Sequence, residues 1–444
     1  MTSSKHVKSK KTIILLIIAL LCGSILGGYL YNKYINRTIV LEFGTFAGTM
    51  YNVPDWQSFI ALDAAIEKFE KANPNIVVNY KSGILRGDYS ERLTQDILKS
   101  EEPDIFTVLP GDFNTFASIG ELKNLDLLIK SDNNFDLSKQ YNNAVKSGKY
   151  QDSQFALAKE VDPELMFVNK TLLKKEGIGL PSENWTWKDF YEICKKVTRD
   201  TDKDGKIDQF GEVGFSWQQA VYTNGQQLFD LNGNKANFNN EDVIESIKFV
   251  ASLNKLNQNF IVNATDFDNS KVAFSPFPFS TFRAYKVYPY KVMKYGEFEW
   301  ECIKLPKGPK GNNAGELNSL LIGISSRTKH EKEAWQFLKF LTNNTDIQMD
   351  VLKYSHGMPV LKGVVESNEA DKELLKYNLD GNVFINKKSL GEVVEQSIVT
   401  PKFHKYDECM DIADKEIFQL INGGKDVDLT MSKLNSKLNN FLKK

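Results

Sequence analysis

Hydrophobic and polar positions follow two rhythms along the chain, and the rhythms take turns. Residues 38–43 (TIVLEF) form a short apolar run rich in β-branched residues, which predicts a strand. Across 55–72 the apolar residues Phe59, Leu62, Ala65, Ile66 and Phe69 recur at three- and four-residue spacing, which predicts a helix. Asn73-Pro74-Asn75 ends it, because proline lacks a backbone donor and disfavours helix in the residue before it. The succession then repeats: a strand at 76–80 (IVVNY), an amphipathic helix at 89–99, a strand at 104–108 (DIFTV) and a loop at 109–114. Strands taking turns with helices predict an α/β architecture. Proline and glycine are scattered rather than gathered into a linker, so domain borders are expected to be crossings of ordered chain.

One segment breaks the alternation. Residues 13–30 carry no charge and are mostly apolar, with Lys5, Lys8, Lys10 and Lys11 before them and Lys33 and Arg37 after. This predicts an export signal or a membrane anchor, at the short end of the roughly 20 residues that span a bilayer. The lysine excess puts the N-terminal end in the cytoplasm and the body outside. Cys22 offers the alternative of a lipidated, processed terminus. Leu21 is bulky where such a site wants a small residue, and the apolar run continues through Ile25, Leu26 and Leu30, which favours an uncleaved anchor over 1–36.

Composition narrows the class of the body. With 444 residues, 41% hydrophobic and 25% charged, the chain is an ordinary globular protein of two or three domains, not a disordered, collagenous or coiled-coil one. The 56 basic and 57 acidic side chains nearly cancel. Five of the lysines lie in 1–36, which has no acidic residue, so the remainder carries 51 basic against 57 acidic groups. A mildly acidic body is a poor partner for nucleic acid. Cys194, Cys302 and Cys409 stand at long spacings that suit neither a disulfide framework nor a metal site, and read as buried free thiols.

A set of stretches in a fixed order gives a resemblance. They are FEKANPNI (69–76), PDIFT (103–107), FALAKEVDPELMFVNKTLL (155–173), WTWKDF (185–190), KVAF (271–274), IGISSRTKHEKEAWQFLKFL (322–341) and SHGMPV (355–360). Together they resemble the carbohydrate-type solute-binding proteins of ABC importers, the class that includes maltose-binding protein. The resemblance implies a two-lobed periplasmic-binding-protein-like α/β fold with discontinuous lobes and a ligand cleft at the hinge. Lobe I would comprise 37–158 plus 270–320, and lobe II 159–269 plus 321–444, with crossings near 155–162, 265–274 and 317–325. It also implies an extracytoplasmic subunit, expected as a monomer, that captures a sugar or oligosaccharide and delivers it to the membrane subunits of an importer. A membrane-tethered sugar sensor would need no change of residues.

Candidate ligand residues fall where loops would meet the cleft. The 44–56 stretch combines glycines with Tyr51, Asp55 and Trp56, a mix suited to a ligand with hydroxyls and flat C–H faces, although its glycines also suit a plain turn. Asp112 follows the third strand and matches the position of polar sugar contacts in the family; an aspartate there also suits a helix cap. Asp162, at the first crossing, falls where the resemblance places an acidic sugar-binding residue. Trp217, flanked by Gln218 and Gln219, is a candidate stacking platform. Phe277 and Phe279 lie where relatives often carry a stacking tryptophan, with core packing as the alternative. Tyr354 precedes a loop that approaches the cleft in relatives.

Residues 200–208 (DTDKDGKID) place Asp200, Asp202, Asp204 and Asp208, with the Lys206 carbonyl, in the order of a calcium loop around Gly205. Four carboxylates crowded together repel one another without a cation, so structural Ca²⁺ is expected, the alternative being a solvated acidic turn. At the twelfth position Gly211 stands in for the usual glutamate, and Glu212 follows. Hydrolase, metalloprotease, Walker and dinucleotide motifs are absent from the sequence, and no organic cofactor is expected. Glu160 and Asp162 are the nearest pair for a glycosidase reading, which stands as the minor alternative to a non-enzymatic binder.

Overall fold

The structure, a computed structural model, describes residues 38–47, 57–81, 83–258, 260–284, 298–376 and 385–444. Nine strands share one sheet: β1 (Ile39–Gly44), β2 (Ile76–Tyr80), β3 (Ile105–Val108), β4 (Ala156–Asn169), β5 (Phe210–Glu212), β6 (Val272–Pro278), β7 (Trp300–Ile303), β8 (Leu317–Ile324) and β9 (Met358–Pro359). The helices that bear on the argument are α1 (Gln57–Ala72), α2 (Arg86–Lys99), α3 (Pro110–Ser118), α4 (Trp187–Val197), α5 (Trp217–Thr223), α6 (Phe279–Ala284), α7 (Glu331–Asn343), α8 (Thr345–Tyr354), α9 (Lys387–Gln396), α10 (Tyr406–Gly423) and α11 (Val427–Leu442).

The expected β1-α1-β2-α2-β3 succession is present, with one difference at its end. Residues 110–114, expected within a loop, form the first turns of α3, because Pro110 at the first helical position gives up no donor the helix needs. In order, the sheet runs β2-β1-β3-β8-β4-β6-β5, with β7 and β9 also paired to β4. Parallel pairing joins β1 to β2 and to β3, whereas β8 lies antiparallel between β3 and β4.

The long strand β4 carries the chain from one lobe into the other. Its first half pairs with β8 as far as Pro163, and its second half pairs with β6 from Glu164 onward. Pro163, which has no N–H to donate, thus stands where one partner gives way to the next. Nearly every β4 residue is buried, so the strand reads as a continuous apolar run rather than an alternating one.

Two cores flank this crossing. Leu41, Phe43, Phe69, Ile105, Ile322, Trp335 and Phe337 fill one face of lobe I. Lobe II is filled by Phe190, Trp217, Phe229, Phe274, Cys409 and Ile417. A third cluster, containing Val161, Leu165, Leu317, Leu321 and Met358, runs through the junction.

The division of segments differs from the one expected. Residues 270–278, assigned to lobe I, belong with lobe II, because β6 pairs with β5 and with the second half of β4. Much of 321–444, assigned to lobe II, belongs with lobe I: β8 returns to pair with β3, and α7 lays Trp335 and Phe337 on the lobe I sheet. The crossing expected at 265–274 is therefore absent, and the last crossing is further along the chain. It lies between Val394, in the junction cluster, and Phe403, in the lobe II core. There Ile398 and the chain ahead of β8 bond each other twice, Leu317 N–H to Ile398 O at 2.9 Å and Ile398 N–H to Gly315 O at 2.9 Å.

Among the described residues no helix is long and apolar enough to cross a membrane. The 13–30 segment lies outside them. Cys194, Cys302 and Cys409 are buried and outside any disulfide, as their spacing suggested.

Candidate functional site

Two helices, α3 and α10, meet between the lobes. In lobe I, α3 opens at Pro110 and carries Asp112 and Asn114 in its first turns. In lobe II, α10 opens after Lys405 with Asp407 and Glu408 in its first turn, where the helix dipole favours acidic groups. The Asn114 side chain pairs with the Asp407 carboxylate, and Ser118 Oγ lies 3.2 Å from His404 Nδ1. Both contacts join lobe I to lobe II.

Asp112 is held on one side only. Ser90 Oγ, on α2, donates to its Oδ1 at 2.6 Å, while its Oδ2 is buried with no hydrogen-bond partner. Burial raises its pKa against the Ser90 hydrogen bond. Asn114 is 1% exposed, and its Oδ1 likewise lacks a donor. Asp407 is exposed as a residue, yet partial burial of its carboxyl raises its pKa, Lys402 and Asn114 lower it, and Asp411 and Asp112 raise it again. The junction thus offers several acceptors and few donors.

Behind it, the three crossings share a buried polar cluster. Glu164 on β4 accepts from Gln219 Nε2 at 3.1 Å and from the Glu316 N–H at 3.3 Å. Burial first, and Glu316 second, push its carboxyl up to about 7. Glu316 lies beside Lys402 and hydrogen-bonds Thr400, and Tyr406 hydrogen-bonds Tyr222. Gly315 lies close against this cluster: a Cβ there would sit 2.2 Å from Glu164 Oε2, so the Glu164 side chain would have to shift.

The sequence candidates fall in different places. Tyr51, Asp55 and Trp56 lie outside the described residues. Asp112 is at the junction. Asp162 is 2% exposed, and both its oxygens accept from Ser280, from the N–H and from Oγ, each at 2.8 Å, which anchors the start of α6. Glu160, its supposed catalytic companion, is 3% exposed and accepts from Ser355 Oγ.

Trp217 packs in the lobe II core with Phe238, and its Nε1 donates to Asp414 Oδ1 at 2.8 Å; Gln218 donates to the same oxygen at 2.7 Å. The pair fastens α5 to α10. Phe279 is fully buried, with Arg283 over its ring, and Phe277 packs edge-on against Phe167 and Phe267. Both belong to the packing of the junction. Tyr354 is exposed at the end of α8.

Asn114, Lys402, His404, Asp407 and Asp411 were missed from the sequence. The only available signal was the polar stretch TPKFHKYDE (400–408) ahead of an amphipathic helix, where an acidic first turn is common for structural reasons alone.

The 200–208 loop gathers Asp200, Asp202 and Asp204, each with an oxygen within 4.8 Å of the others. Backbone amides organise it: Lys203 and Gly205 donate to Asp200 at 2.7 Å each, and Lys206 donates to Asp204 at 2.8 Å. The donor set fits an oxygen-loving divalent cation. Two positions fit less well. Asp208 is engaged by Thr201 through both oxygens, and Glu212 is buried, accepting from Phe215 N–H at 3.0 Å instead of turning to the loop.

Comparison with solved structures supplies the fold family. The sugar-binding protein MalE of Xanthomonas citri aligns with a TM-score of 0.74 at 15% identity, over 91% of this chain and 98% of that one. The cyclic alpha-maltosyl-1,6-maltose binding protein of Arthrobacter globiformis gives 0.74 at 16%, over 91% and 99%. An ABC substrate-binding protein of Listeria monocytogenes in complex with cycloalternan gives 0.69 at 19%, over 92% and 99%. At these identities the likeness shows a shared two-lobed fold. The sequence match is more specific, covering residues 54–347, and it establishes that the chain belongs to the family of bacterial extracellular solute-binding proteins.

Proposed function

We propose that this solute-binding protein captures a sugar or oligosaccharide between its lobes and delivers it to the membrane subunits of an ABC importer. The observation that carries the reading is the meeting of α3 and the start of α10 at the lobe junction, with Asp112 and Asn114 on one lobe and Asp407 on the other. Buried acceptors without donors suit a ligand that brings hydroxyl donors. Structurally similar proteins are described as bound to maltotriose, cycloalternan and tagatose, which supports a carbohydrate.

The N-terminal segment would hold the protein at the outer face of the membrane, and transport energy would come from a partner ATPase. The 200–208 loop would hold Ca²⁺ as a structural ion through Asp200, Asp202 and Asp204 and the Lys206 carbonyl, with Asp208 bracing the loop through Thr201.

Calorimetric titration of the full chain against mono- and oligosaccharides, with analysis of the sugar afterwards, tests the central reading. Saturable heat with the sugar recovered intact is the expected result. Turnover would move an enzymatic reading ahead, and silence across the panel would remove carbohydrate from the function.

A further inference from the structure

The end of the β4–β8 ladder sets two acids face to face. Its antiparallel register pairs Asn318 with Asp162 and Leu317 with Pro163, so the next rung puts Glu316 opposite Glu164, where β4 leaves β8 for β6. The contacts agree with the register. Glu164 Oε2 accepts from the Glu316 N–H at 3.3 Å, and Gly315 comes so near that a Cβ there would lie 2.2 Å from the same oxygen. Like charges directly opposite in a sheet are destabilising.

The two acids have different partners. Around Glu164 stand Gln219, whose Nε2 donates to Oε1 at 3.1 Å, and Tyr222, both from α5, with Asp162 on β4 itself and Pro278 opposite on β6. None of these is a cation. Lys402 lies against Glu316 together with Thr400, and Tyr406 and Asp407 stand beyond it. Ionised, Glu164 would face a like charge with no positive neighbour of its own. Burial and Glu316 accordingly push its carboxyl up to about 7.

The segments that bring these groups together are the crossings between the lobes: 163–164 on β4, 315–317 ahead of β8, and 398–402. The second and third are tied to each other through Leu317 and Ile398.

We propose that Glu164 and Glu316 form a proton-linked latch at the crossings: a proton held on Glu164 keeps the three segments together and the lobes in contact through α3 and α10, and its loss lets them part. The latch acts on the closure that capture uses and depends on no particular ligand.

The sign follows from the raised value. The proton's contribution is fully present below the ordinary 4.5 and is lost as pH rises through about 7. Between pH 6 and pH 8 one such group lowers the ratio of latched to parted molecules about tenfold.

Amide hydrogen exchange of the full chain without ligand reads this ratio, each rate being divided by the intrinsic rate at the same pH. Protection in 109–118 and 398–411 is expected to fall about tenfold from pH 6 to pH 8, and protection in α1, inside lobe I, by about threefold or less. Glu164→Gln cannot ionise and should hold the junction within about twofold over this range. Glu316→Gln removes the facing charge and should shrink the fall to about threefold or less. Glu212→Gln, which removes a buried acid away from the crossings, should leave the tenfold fall intact. Thermal melts at pH 6 check that the variants fold. A parent that shows no fall, a fall equally large in α1, or a fall that persists in Glu164→Gln overturns the latch. Should Glu164→Gln fail to fold, an undiminished fall in Glu316→Gln overturns it instead. Because no ligand is present, none of these outcomes bears on whether the captured solute is a saccharide.

Discussion

Asn114 in lobe I and Asp407 in lobe II pair across the lobe junction, each from the first turns of its helix. Asp112, Asp407 and Asp411 stand close enough here to raise one another's energy, a cost that a bound donor-rich ligand would offset. Asn114→Ala would remove the bridging amide and an acceptor from the ligand. The expected loss is about tenfold in sugar affinity, the scale of one net hydrogen bond, with a small change in melting temperature. Titration beside a thermal melt checks it; unchanged affinity would place the ligand elsewhere.

Asp162 has a different part. Both its oxygens hold Ser280 at the start of α6, inside the junction. Asp162→Ala leaves two buried donors without partners, which costs roughly 2–4 kcal/mol by the usual penalty for unsatisfied buried groups. A denaturant melt should show that loss, while ligand affinity of the remaining folded protein changes little. A variant of unchanged stability and lost affinity would restore Asp162 as a ligand contact.

Gly315 permits the crossings to pass close together. A methyl group there would lie 2.2 Å from Glu164 Oε2 and 3.0 Å from Leu305 Cδ1. Gly315→Ala is expected to destabilise the protein by about 1–3 kcal/mol, as overpacking does. A urea melt reads this directly, and a neutral result would mean that the Glu164 side chain moves aside at no cost.

Glu212 gives a pH signature. Burial raises its carboxyl from 4.5 to about 7, against the hydrogen bond from Phe215. Because the folded value lies above the unfolded one, its contribution to stability is fully present below 4.5 and is lost as pH rises towards 7. Glu212→Gln keeps an acceptor for Phe215 and cannot ionise. The variant should match the parent near pH 4 and exceed it at pH 8 by up to about 3 kcal/mol, from the energy of one pKa unit. Parallel pH–stability curves for the two proteins would contradict this.

The 200–208 loop predicts calcium-dependent stability. At a Ca²⁺ concentration about a hundredfold above its dissociation constant, the melt should rise by the equivalent of about 2.7 kcal/mol, and chelator should reverse it. Asp204→Ala should abolish the response. A melt indifferent to Ca²⁺ would leave the loop as an acidic turn braced by its own amides.

The lobe I succession was readable because each element there is short, periodic and bounded by Pro74 or polar residues. Lobe membership was not, because β6 and β8 both read as apolar strands, and their partners are chosen by tertiary pairing with the two halves of β4. The place of Asp112 just after β3 was readable, and the structure puts it in the first turn of α3. The place of Asp162 at a crossing was readable, but not that Ser280 would occupy both its oxygens, since a carboxylate there serves equally to anchor a helix start. Trp217 likewise has the composition of a platform, yet its ring is taken up by Phe238 and its N–H by Asp414. Asp407 and Asn114 are 293 residues apart in the chain, and only the return of the C-terminal segment to the lobe junction brings them together.

Capture between two lobes is tested most directly by amide hydrogen exchange of the full chain with and without a saturating saccharide. Slowed exchange is predicted together in 109–118 of lobe I and 402–411 of lobe II. Protection confined to one lobe, or found in neither, would contradict a ligand held between Asp112 and Asp407.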